Sequence, residues 1–463
     1  MRDIVSPLSG FGSPFGQRRD LLNATAIARI LFSDEEPGFF YDFDDWSTLF
    51  QDTAGTQPVT APNQGVALAL DKSGNDNHAT QATTAARPLT ARHPDGGVRN
   101  VLPYQSDDYS SGNTGVTRIV TEISHPLGTP GGQVVRLTAT EGETSRKFHG
   151  HSTLLDVGIL YDIVKSEGIR YVAYGRAAAD GQGLAVFDLQ EGTIVRDSFL
   201  GGATILALGG GWFRVSTPVP SGPTNDTRPR LHLLQTNEGT GDYEPWVGDG
   251  TSILLAGRQL ELSGLSPYQR RVNHLDVTEA GKKSIRRLWF NGTSHFMTTP
   301  VITPNTDKAQ VFAGVRKLSD AGTGVLAQLG EFSNSGEWTL RYPRSSSQSE
   351  AVFGTRDSVA RVAVGIAHAS PASSVLTATS DRGAPSLNIL RRNGVSEGTN
   401  SEFGSTINFA GGAIDIGSQG GTSLFFNGYI DQLITRFGAN LDTATIEKTE
   451  KYVSTKSPEV PTL

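Results

Sequence analysis

The 463-residue sequence contains no cysteine and only two methionines. The missing thiols exclude disulfides, thiolate metal ligands and cysteine nucleophiles, and two methionines leave little for oxidation to damage. Both shortages suit a protein that is exposed outside a cell. Charged residues are scarce as well, at 19% against a usual ~25%.

The net charge is −7, and basic residues form no block beyond pairs such as Lys282-Lys283. A protein that binds a phosphate backbone concentrates Lys and Arg on one surface, so we expect no nucleic acid partner. No apolar run approaches the ~18 residues of a membrane span, and Met1–Pro7 has no apolar signal core. We therefore expect no membrane partner, synthesis in the bacterial cytoplasm and release by lysis.

Familiar catalytic and metal motifs are missing: the sequence has no Gly-x-Ser-x-Gly elbow, His-Glu-x-x-His motif or phosphate-binding glycine loop. His149 and His151 would share one face of a strand, where a third group could complete a metal site, but such a pair is more often polar surface. Residues 71–77 space oxygen side chains like the first half of an EF-hand loop, but Asp76 replaces the required Gly and Ala82 the required Glu. We expect no cofactor, and structural Ca²⁺ has no further support.

Glycine is abundant, with 54 residues, or ~12% against a usual ~7%. Short apolar runs with alternating faces, such as Ile169–Tyr174, recur between Gly, Asn, Asp and Pro. Asn291-Gly292 and Asn393-Gly394 are hairpin signals. This pattern predicts antiparallel strands, and the length is roughly that of three domains.

Both ends of the chain differ from this strand pattern. Residues 1–19 carry Ser-Pro and Gly-Phe-Gly with no period, which favours either a floppy tail or an arm that orders on docking to a partner. Residues 20–35 are compatible with a helix or a strand. Near the C-terminus, Asp442 can cap a short helix that places Ile446, Thr449 and Val453 on one face.

Two stretches resemble parts of one known fold. Tyr41–Phe50, continued by Asp71–Gln81, resembles the opening of concanavalin-like (laminin-G-like) β-sandwiches in phage structural proteins. Phe290–Phe296 resembles the strand pair that normally follows soon after, yet it comes about 200 residues later. This separation predicts one domain interrupted by another.

The intervening segment resembles the carbohydrate-binding-module-like jelly rolls of phage tail and spike proteins. The matching motifs are Arg99–Leu102 at the opening, Gly211–Arg214 in the middle, and Gly248–Ser252 with Gln259–Glu261 at the close, of which the closing motif is the most specific. The resemblance predicts an all-β chain of two antiparallel β-sandwiches, with an N-terminal arm and a short C-terminal helix.

The predicted domains follow from these resemblances. They are an N-terminal attachment arm (1–35), the first part of the concanavalin-like sandwich (36–98), the inserted jelly roll (99–272), the remainder of the sandwich (273–457) and a tail (458–463).

The resemblance implies a virion-surface adhesin, a head spike or tail fibre of a phage or gene-transfer-agent particle, that binds host capsular or other surface polysaccharide without cleaving it. The N-terminal arm would bind another virion protein. Because a single shallow sugar site is weak, we expect homo-oligomers whose avidity adds 10² to 10⁴-fold. A glycan-degrading depolymerase and a ligand-free decoration protein remain the alternatives.

Sugar sites pair an aromatic ring with carboxylates or amides. Two loops have that composition, and we take as candidate carbohydrate-binding residues Tyr104, Asp107, Tyr109, Tyr243, Trp246 and Asp249. The remaining tryptophans are expected to be structural. Asp42 and Asp44 would share one strand face, where a pair of carboxylates could serve a glycosidase, but a solvated face is the preferred interpretation.

Overall fold

The structure is a computed structural model that describes residues 23–110, 112–150, 158–175, 185–197, 201–219, 230–237, 245–383, 386–402 and 407–463. Strands dominate these ranges, which confirms the predicted all-β sandwich class. Neither of the two α-helices found there combines the length and apolar character that crossing a bilayer requires. Tyr243 and His151 lie outside the described residues.

The strands, in chain order, are β1 (Gly38–Asp42), β2 (Leu49–Phe50), β3 (Leu68–Ala69), β4 (Ala79–Thr80), β5 (Leu89–Pro94), β6 (Asn113–Thr114), β7 (Val116–Val120), β8 (Val135–Ala139), β9 (Phe148–Gly150), β10 (Gly158–Glu167), β11 (Tyr171–Gly175), β12 (Ala185–Asp188), β13 (Thr193–Asp197), β14 (Thr204–Gly209), β15 (Trp212–Val219), β16 (Arg230–Leu234), β17 (Ser252–Glu261), β18 (Gln269–Asn273), β19 (Asp276–Glu279), β20 (Ser284–Asn291), β21 (Met297–Thr298), β22 (Lys308–Lys317), β23 (Val325–Leu329), β24 (Trp338–Arg341), β25 (Val352–Arg356), β26 (Ala360–Val364), β27 (Ala372–Asp381), β28 (Ser386–Arg392), β29 (Val395–Glu402), β30 (Ile414–Ile416) and β31 (Asn427–Phe437). The α-helices are α1 (Ala24–Leu31) and α2 (Thr443–Ser454), and short 3-10 turns cover Trp46–Thr48 and Thr84–Ala86.

Within the described residues these strands form four sheets. A ten-stranded sheet has the order β18-β19-β5-β20-β31-β22-β27-β28-β29, with β1 also paired to β31, and a nine-stranded sheet has the order β2-β3-β4-β21-β30-β23-β24-β25-β26. We call this pair of sheets the split sandwich, because its strands come from both ends of the chain. Two six-stranded sheets, β14-β15-β10-β17-β8-β7 and β13-β12-β11-β16-β9-β6, form the inserted sandwich. The predicted domain limit at residue 272 falls inside β18 of the split sandwich.

Strand β1 illustrates how alternation builds the split sandwich. All five of its residues are buried. Phe39 and Tyr41 point into the core between the two sheets, whereas Phe40 points to the opposite face and packs under the helices. The eleven-residue β31 joins this strand to β20 and β22, so the centre of the ten-stranded sheet unites residues from both ends of the chain.

The two helices cover the outer face of the ten-stranded sheet. Helix α1 begins after Asn23, whose Oδ1 accepts the N–H of Ala26 at 2.9 Å, and it buries Ile27 and Leu31 completely. This settles residues 24–31 as helix. Helix α2 begins as predicted, with the carboxylate of Asp442 accepting the N–H of Thr445 at 2.7 Å. Its predicted inner face is confirmed too, since Thr449 and Val453 are buried and Ile446 packs against the same cluster.

Helix α2 also overturns the prediction of a solvated acidic face. Asp42 is only 3% exposed, and its Oδ2 accepts hydrogen bonds from the Tyr452 hydroxyl at 3.0 Å and from Lys72 Nζ at 3.3 Å. Asp44 lies 2.8 Å from Lys456 Nζ, and this cation helps to hold the pKa of the Asp44 carboxyl below its usual value although burial opposes the shift. The acidic residues are therefore anchors for the C-terminal helix.

One of the two Asn-Gly hairpin signals is confirmed and the other is wrong. Asn393-Gly394 joins β28 to β29, which pair as a hairpin. At Asn291-Gly292, however, the chain leaves the ten-stranded sheet and continues into β21 of the nine-stranded sheet. Asn291 Oδ1 accepts the N–H groups of the three residues 293–295, which turns the chain between sheets instead of back along its own strand.

Four tryptophans were expected to be structural. Trp46, Trp212 and Trp338 are 7%, 7% and 0% exposed, which confirms the prediction for these three. Trp289 is half-buried and packs edge-on against His274 and His295.

Candidate functional site

The first predicted sugar-binding loop, residues 104–109, lies in the interior. Tyr109 is 1% exposed, and its hydroxyl donates to Asp162 at 2.9 Å. Asp107 is fully buried and accepts hydrogen bonds from Arg270 Nε at 2.8 Å and from the backbone N–H of Gln133 at 3.1 Å. Tyr104 is half-buried against the same core, and burial raises the pKa of its hydroxyl. Asp107 and Tyr109 thus offer no surface to a sugar and instead hold the inserted sandwich together and to the split sandwich.

The second predicted loop lies at the surface. Trp246 is half-buried, while Val247 is 59% exposed and Asp249 is exposed. This loop faces residues 141–147, of which Glu141, Glu143 and Thr144 are exposed. We call residues 141–147 and 245–251 together the tip. The tip keeps two predicted site residues, Trp246 and Asp249, and separates them from the buried set around Asp107.

Lys147 joins the two halves of the tip. Its side chain is 1% exposed, and Nζ donates to the carbonyl oxygens of Trp246 at 3.0 Å, Glu143 at 2.8 Å and Ser145. The ammonium also lies 5.3 Å from the centre of the Trp246 ring, in the range of a cation–π contact. Burial lowers the pKa of Lys147. Because three carbonyls converge on one cation, the two loops are held as one unit.

Backbone pairing between the loops reinforces this unit. The N–H of Gly248 donates to Glu143 O at 2.8 Å, and the N–H of Gly142 donates to Gly248 O at 2.9 Å. A Cβ at residue 248 would lie 1.9 Å from the carbonyl oxygen of Thr140, so the close approach requires glycine. The tip is therefore a fixed surface on one end of the inserted sandwich.

Trp246 and Asp249 are both oriented by their own hydrogen bonds. The indole N–H of Trp246 donates to Leu233 O at 3.2 Å, which fixes the ring against the core of the inserted sandwich. Asp249 Oδ1 accepts the backbone N–H of Thr251 at 3.0 Å and also its hydroxyl. These bonds hold the pKa of the Asp249 carboxyl below its usual value, so it is ionised at neutral pH. Its Oδ2 accepts no hydrogen bond from the described residues.

Sequence composition pointed to Trp246 and Asp249, which the structure places in the tip, but it did not point to Lys147. A single lysine in a polar stretch carries no signal of burial, and its carbonyl partner at Trp246 is 99 residues away. Of the predicted histidine pair, the structure describes only His149. This residue is fully buried, with Nδ1 2.9 Å from Asn113 Oδ1. In the described part of the chain, no group of three or more His, Asp or Glu side chains is arranged to hold a metal ion.

A separate cleft of about 650 Å³ lies beneath helix α1. It is lined by one side of that helix, including Arg29, by Phe32 directly after the helix, and by the Asp45–Lys72 ion pair at 2.7 Å. Asp71 shapes the adjoining turn, because its carboxylate accepts the backbone N–H groups of Phe40 and Ser73, each at 2.8 Å, and of Asn77 at 3.1 Å. The cleft therefore has a structured floor at the place where the described chain begins.

No protein-family model matches this chain, and no curated protein matches it. Solved structures similar in part include the CBM40 domain of the Ruminococcus gnavus IT-sialidase bound to α2,6-sialyllactose, with 14% identity, a TM-score of 0.27, and coverage of 31% of this chain and 84% of that chain. The botulinum neurotoxin type G receptor binding domain has 13% identity, a TM-score of 0.28, and coverage of 36% and 43%. The Trypanosoma rangeli sialidase in complex with the inhibitor DANA has 12% identity, a TM-score of 0.27, and coverage of 84% and 68%. At identities and TM-scores this low, these likenesses assign neither a ligand nor an activity to this chain.

Proposed function

We propose that the protein is a non-catalytic glycan-binding adhesin on the surface of a phage-like particle, and that the tip of the inserted sandwich contacts host surface polysaccharide. The observation that carries the proposal is the fixed Trp246 ring at the surface, with Lys147 at one side and the ionised Asp249 in the same loop. A ring that is already oriented loses little entropy on binding, and a carboxylate with a free oxygen accepts hydroxyl hydrogen bonds.

The ionised Asp249 suits binding better than the acid step of cleavage. A retaining or inverting glycosidase needs one carboxyl group that keeps its proton near neutral pH, which requires a raised pKa. The pKa of Asp249 is instead lowered by its hydrogen bonds to Thr251. Asp249 therefore suits the role of an acceptor that orients a sugar, and depolymerase activity stays the alternative.

The proposed attachment to a particle rests on the N-terminal arm. Helix α1, within the predicted arm, is packed into the split sandwich through Ile27 and Leu31. The part of the arm that precedes this helix would bind another virion protein. Several copies on one particle would supply the avidity that a shallow sugar site needs.

Replacing Trp246 with alanine is expected to weaken binding to encapsulated cells at least about fivefold, because a buried aromatic face is worth on the order of 1 to 2 kcal/mol. Trp246→Phe is expected to lose less affinity than Trp246→Ala, since it preserves a ring face although it loses the indole N–H bond to Leu233 O that fixes the ring. Binding of fluorescently labelled protein to encapsulated cells, and to the same cells stripped of polysaccharide, measures both variants.

The matched control is Val395→Ala, a 64% exposed apolar residue on β29 of the split sandwich, which should bind like the wild type. Unchanged binding by Trp246→Ala with an unchanged thermal unfolding midpoint would remove the tip from the proposal. Release of reducing ends from the polysaccharide would establish the depolymerase instead. Absence of binding to both kinds of cell, even by multivalent protein, would leave a ligand-free decoration protein.

A further inference from the structure

Strand β7 forms one edge of the inserted sandwich. It pairs with β8 on one side, and among the described strands none pairs with its other side. Ile119 is 58% exposed, Val120 43% and the nearby Ile123 40%. An exposed apolar edge offers unpaired N–H and C=O groups to another strand, and proteins usually protect such edges. The chain does not cover this one with any described element.

Hydrogen bonds at the two ends of β7 define which backbone groups are free. The N–H of Thr121 donates to Val134 O at 2.8 Å, and Gly115 O accepts the N–H of Thr140 at 3.0 Å. Odd-numbered residues therefore face β8. Because backbone direction alternates along a strand, Arg118 and Val120 turn their N–H and C=O groups toward the open edge, and Glu122 follows the last residue bonded to β8, Thr121.

The charges on this edge are self-complementary in one register. If Val120 lies opposite Val120 of a second copy in an antiparallel pair, Arg118 of each copy lies opposite Glu122 of the other. Opposed charges on facing strands stabilise a pair, and like charges destabilise it. Centring the pair on Arg118 or on Glu122 would oppose like charges, and centring it on Ile119 or Thr121 would pair the same outward-facing backbone groups but leave Arg118 and Glu122 without each other. Of these registers, the one about Val120 brings Arg118 and Glu122 face to face twice.

Arg118 has hydrogen-bonding capacity to spare. Its Nε is buried and has no hydrogen-bond partner among the described residues, and the side chain as a whole is half-buried. A buried guanidinium nitrogen without a partner carries a desolvation cost that a facing carboxylate would remove. Glu122 is exposed and lies two residues beyond the end of β7.

We propose that two copies of this chain associate through β7, antiparallel and two-fold symmetric about Val120, so that one sheet continues across both inserted sandwiches. Such an interface is isologous and closes at two copies. It lies on the edge of the sheet and does not depend on the glycan-binding role of the tip. The partner is a second copy of this chain, because the charges of Arg118 and Glu122 are complementary to themselves about Val120.

Charge reversal tests this register. Arg118→Glu and Glu122→Arg each place like charges opposite one another twice, and each variant alone is expected to dimerise at least about tenfold more weakly than the wild type. An equimolar mixture of the two variants should form heterodimers, because every facing pair is then opposite in charge. The double variant R118E/E122R should dimerise like the wild type. Sedimentation velocity of the full chain across a concentration series measures all four samples.

Lys282→Glu and Glu331→Arg, exposed residues of the split sandwich, are the controls with the same charge changes and should leave dimerisation unchanged. Recovery of association when the two single variants are mixed excludes misfolding as the cause, because neither variant is altered by mixing. A wild-type chain that stays monomeric throughout the series, or single variants that dimerise as strongly as the wild type, would overturn the proposal.

Discussion

Replacing Arg258 with alanine is expected to destabilise the inserted sandwich by about 3 to 5 kcal/mol, the usual cost of leaving one partner of a buried ion pair alone. Asp162 on β10 and Arg258 on β17 are cross-strand neighbours, 0% and 1% exposed. Arg258 Nε donates to Asp162 Oδ1 at 3.0 Å and Nη2 donates to Oδ2 at 2.9 Å. Removing the guanidinium leaves a carboxylate in the core with no cation.

The hydroxyls of Tyr109 and Tyr174 also donate to Asp162, so its acceptor positions are filled by protein groups. These neutral donors remain in Arg258→Ala but do not balance the charge. The double variant D162N/R258M removes the charge while keeping an acceptor for the tyrosines, and it should regain about half of the lost stability. Urea unfolding followed by tryptophan fluorescence measures the free energies of unfolding.

Arg136→Ala is the matched control in the same sandwich. Arg136 and Glu167 form a 2.6 Å ion pair whose side chains are 36% and 28% exposed, so its loss should cost only about 0 to 1 kcal/mol. An Arg258→Ala variant no less stable than Arg136→Ala would mean that the charge of Asp162 is balanced in another way.

The second large effect expected is a loss of stability in mild acid that originates at His93. This residue is 2% exposed on β5, with Nε2 2.9 Å from His274 O and Nδ1 3.3 Å from Arg287 Nη1. Burial and the neighbouring guanidinium lower the pKa of His93 from 6.5 to about 3. The folded protein therefore keeps this imidazole neutral at a pH where the unfolded chain protonates it.

Glu459 extends the same behaviour to lower pH. Its carboxylate accepts two hydrogen bonds from Arg287 Nη1, at 3.0 and 3.1 Å, and although burial opposes the shift, the Arg287 charge lowers the pKa of Glu459 from 4.5 to about 2. Both groups bind protons more readily when unfolded. Their contribution to stability is complete above pH 6.5 for His93 and above pH 4.5 for Glu459, and it is lost as the pH falls toward 3 and 2 respectively.

At about 1.4 kcal/mol for each pKa unit, His93 alone should remove about 2 kcal/mol between pH 7.5 and pH 5. Urea unfolding at pH 7.5, 6 and 5 measures this slope. His93→Asn should be less stable than the wild type at pH 7.5, since it leaves space in the core. Between pH 7.5 and pH 5, however, the variant should lose about 2 kcal/mol less stability than the wild type loses. An identical slope in the variant and the wild type would assign the acid sensitivity to other groups.

The class of fold was readable from the sequence because it depends on local pattern. Alternation along Ile169–Tyr174 predicted β11. Asp442 predicted the start of α2, and its carboxylate accepts the backbone N–H of the residue three positions later. The direction of the chain after Asn291 was not readable, because Asn-Gly is compatible with a hairpin and with a crossing to the other sheet. Side-chain capping decided between them, and that depends on the surrounding strands.

Composition located the candidate loops but could not separate buried residues from exposed ones. Asp107 resembles a sugar ligand until Arg270, 163 residues later in the chain, is placed beside it. In the sequence, Asp42 resembles a solvated surface residue. In the fold, Tyr452, which is 410 residues away along the chain, donates a hydrogen bond to it. In both cases the residue that decides whether the carboxylate is buried lies far away in the sequence, and the fold places it beside the carboxylate. The pattern of a single sequence does not show which distant residues become neighbours. Trp246 lies at the surface in the tip, and its role in sugar binding stays a prediction.

The central position of β31 has a consequence for synthesis of the chain. The inserted sandwich has all its described strands once residue 261 has emerged from the ribosome, whereas β1 and β20 lack their shared neighbour until residue 437. At ~5 to 20 residues per second, roughly 180 further residues take on the order of ten to thirty seconds. During that interval the incomplete ten-stranded sheet presents unpaired strand edges. A nascent chain stalled before residue 427 should therefore have a folded inserted sandwich, flanked on both sides by aggregation-prone strands of the split sandwich, and it should depend on chaperones.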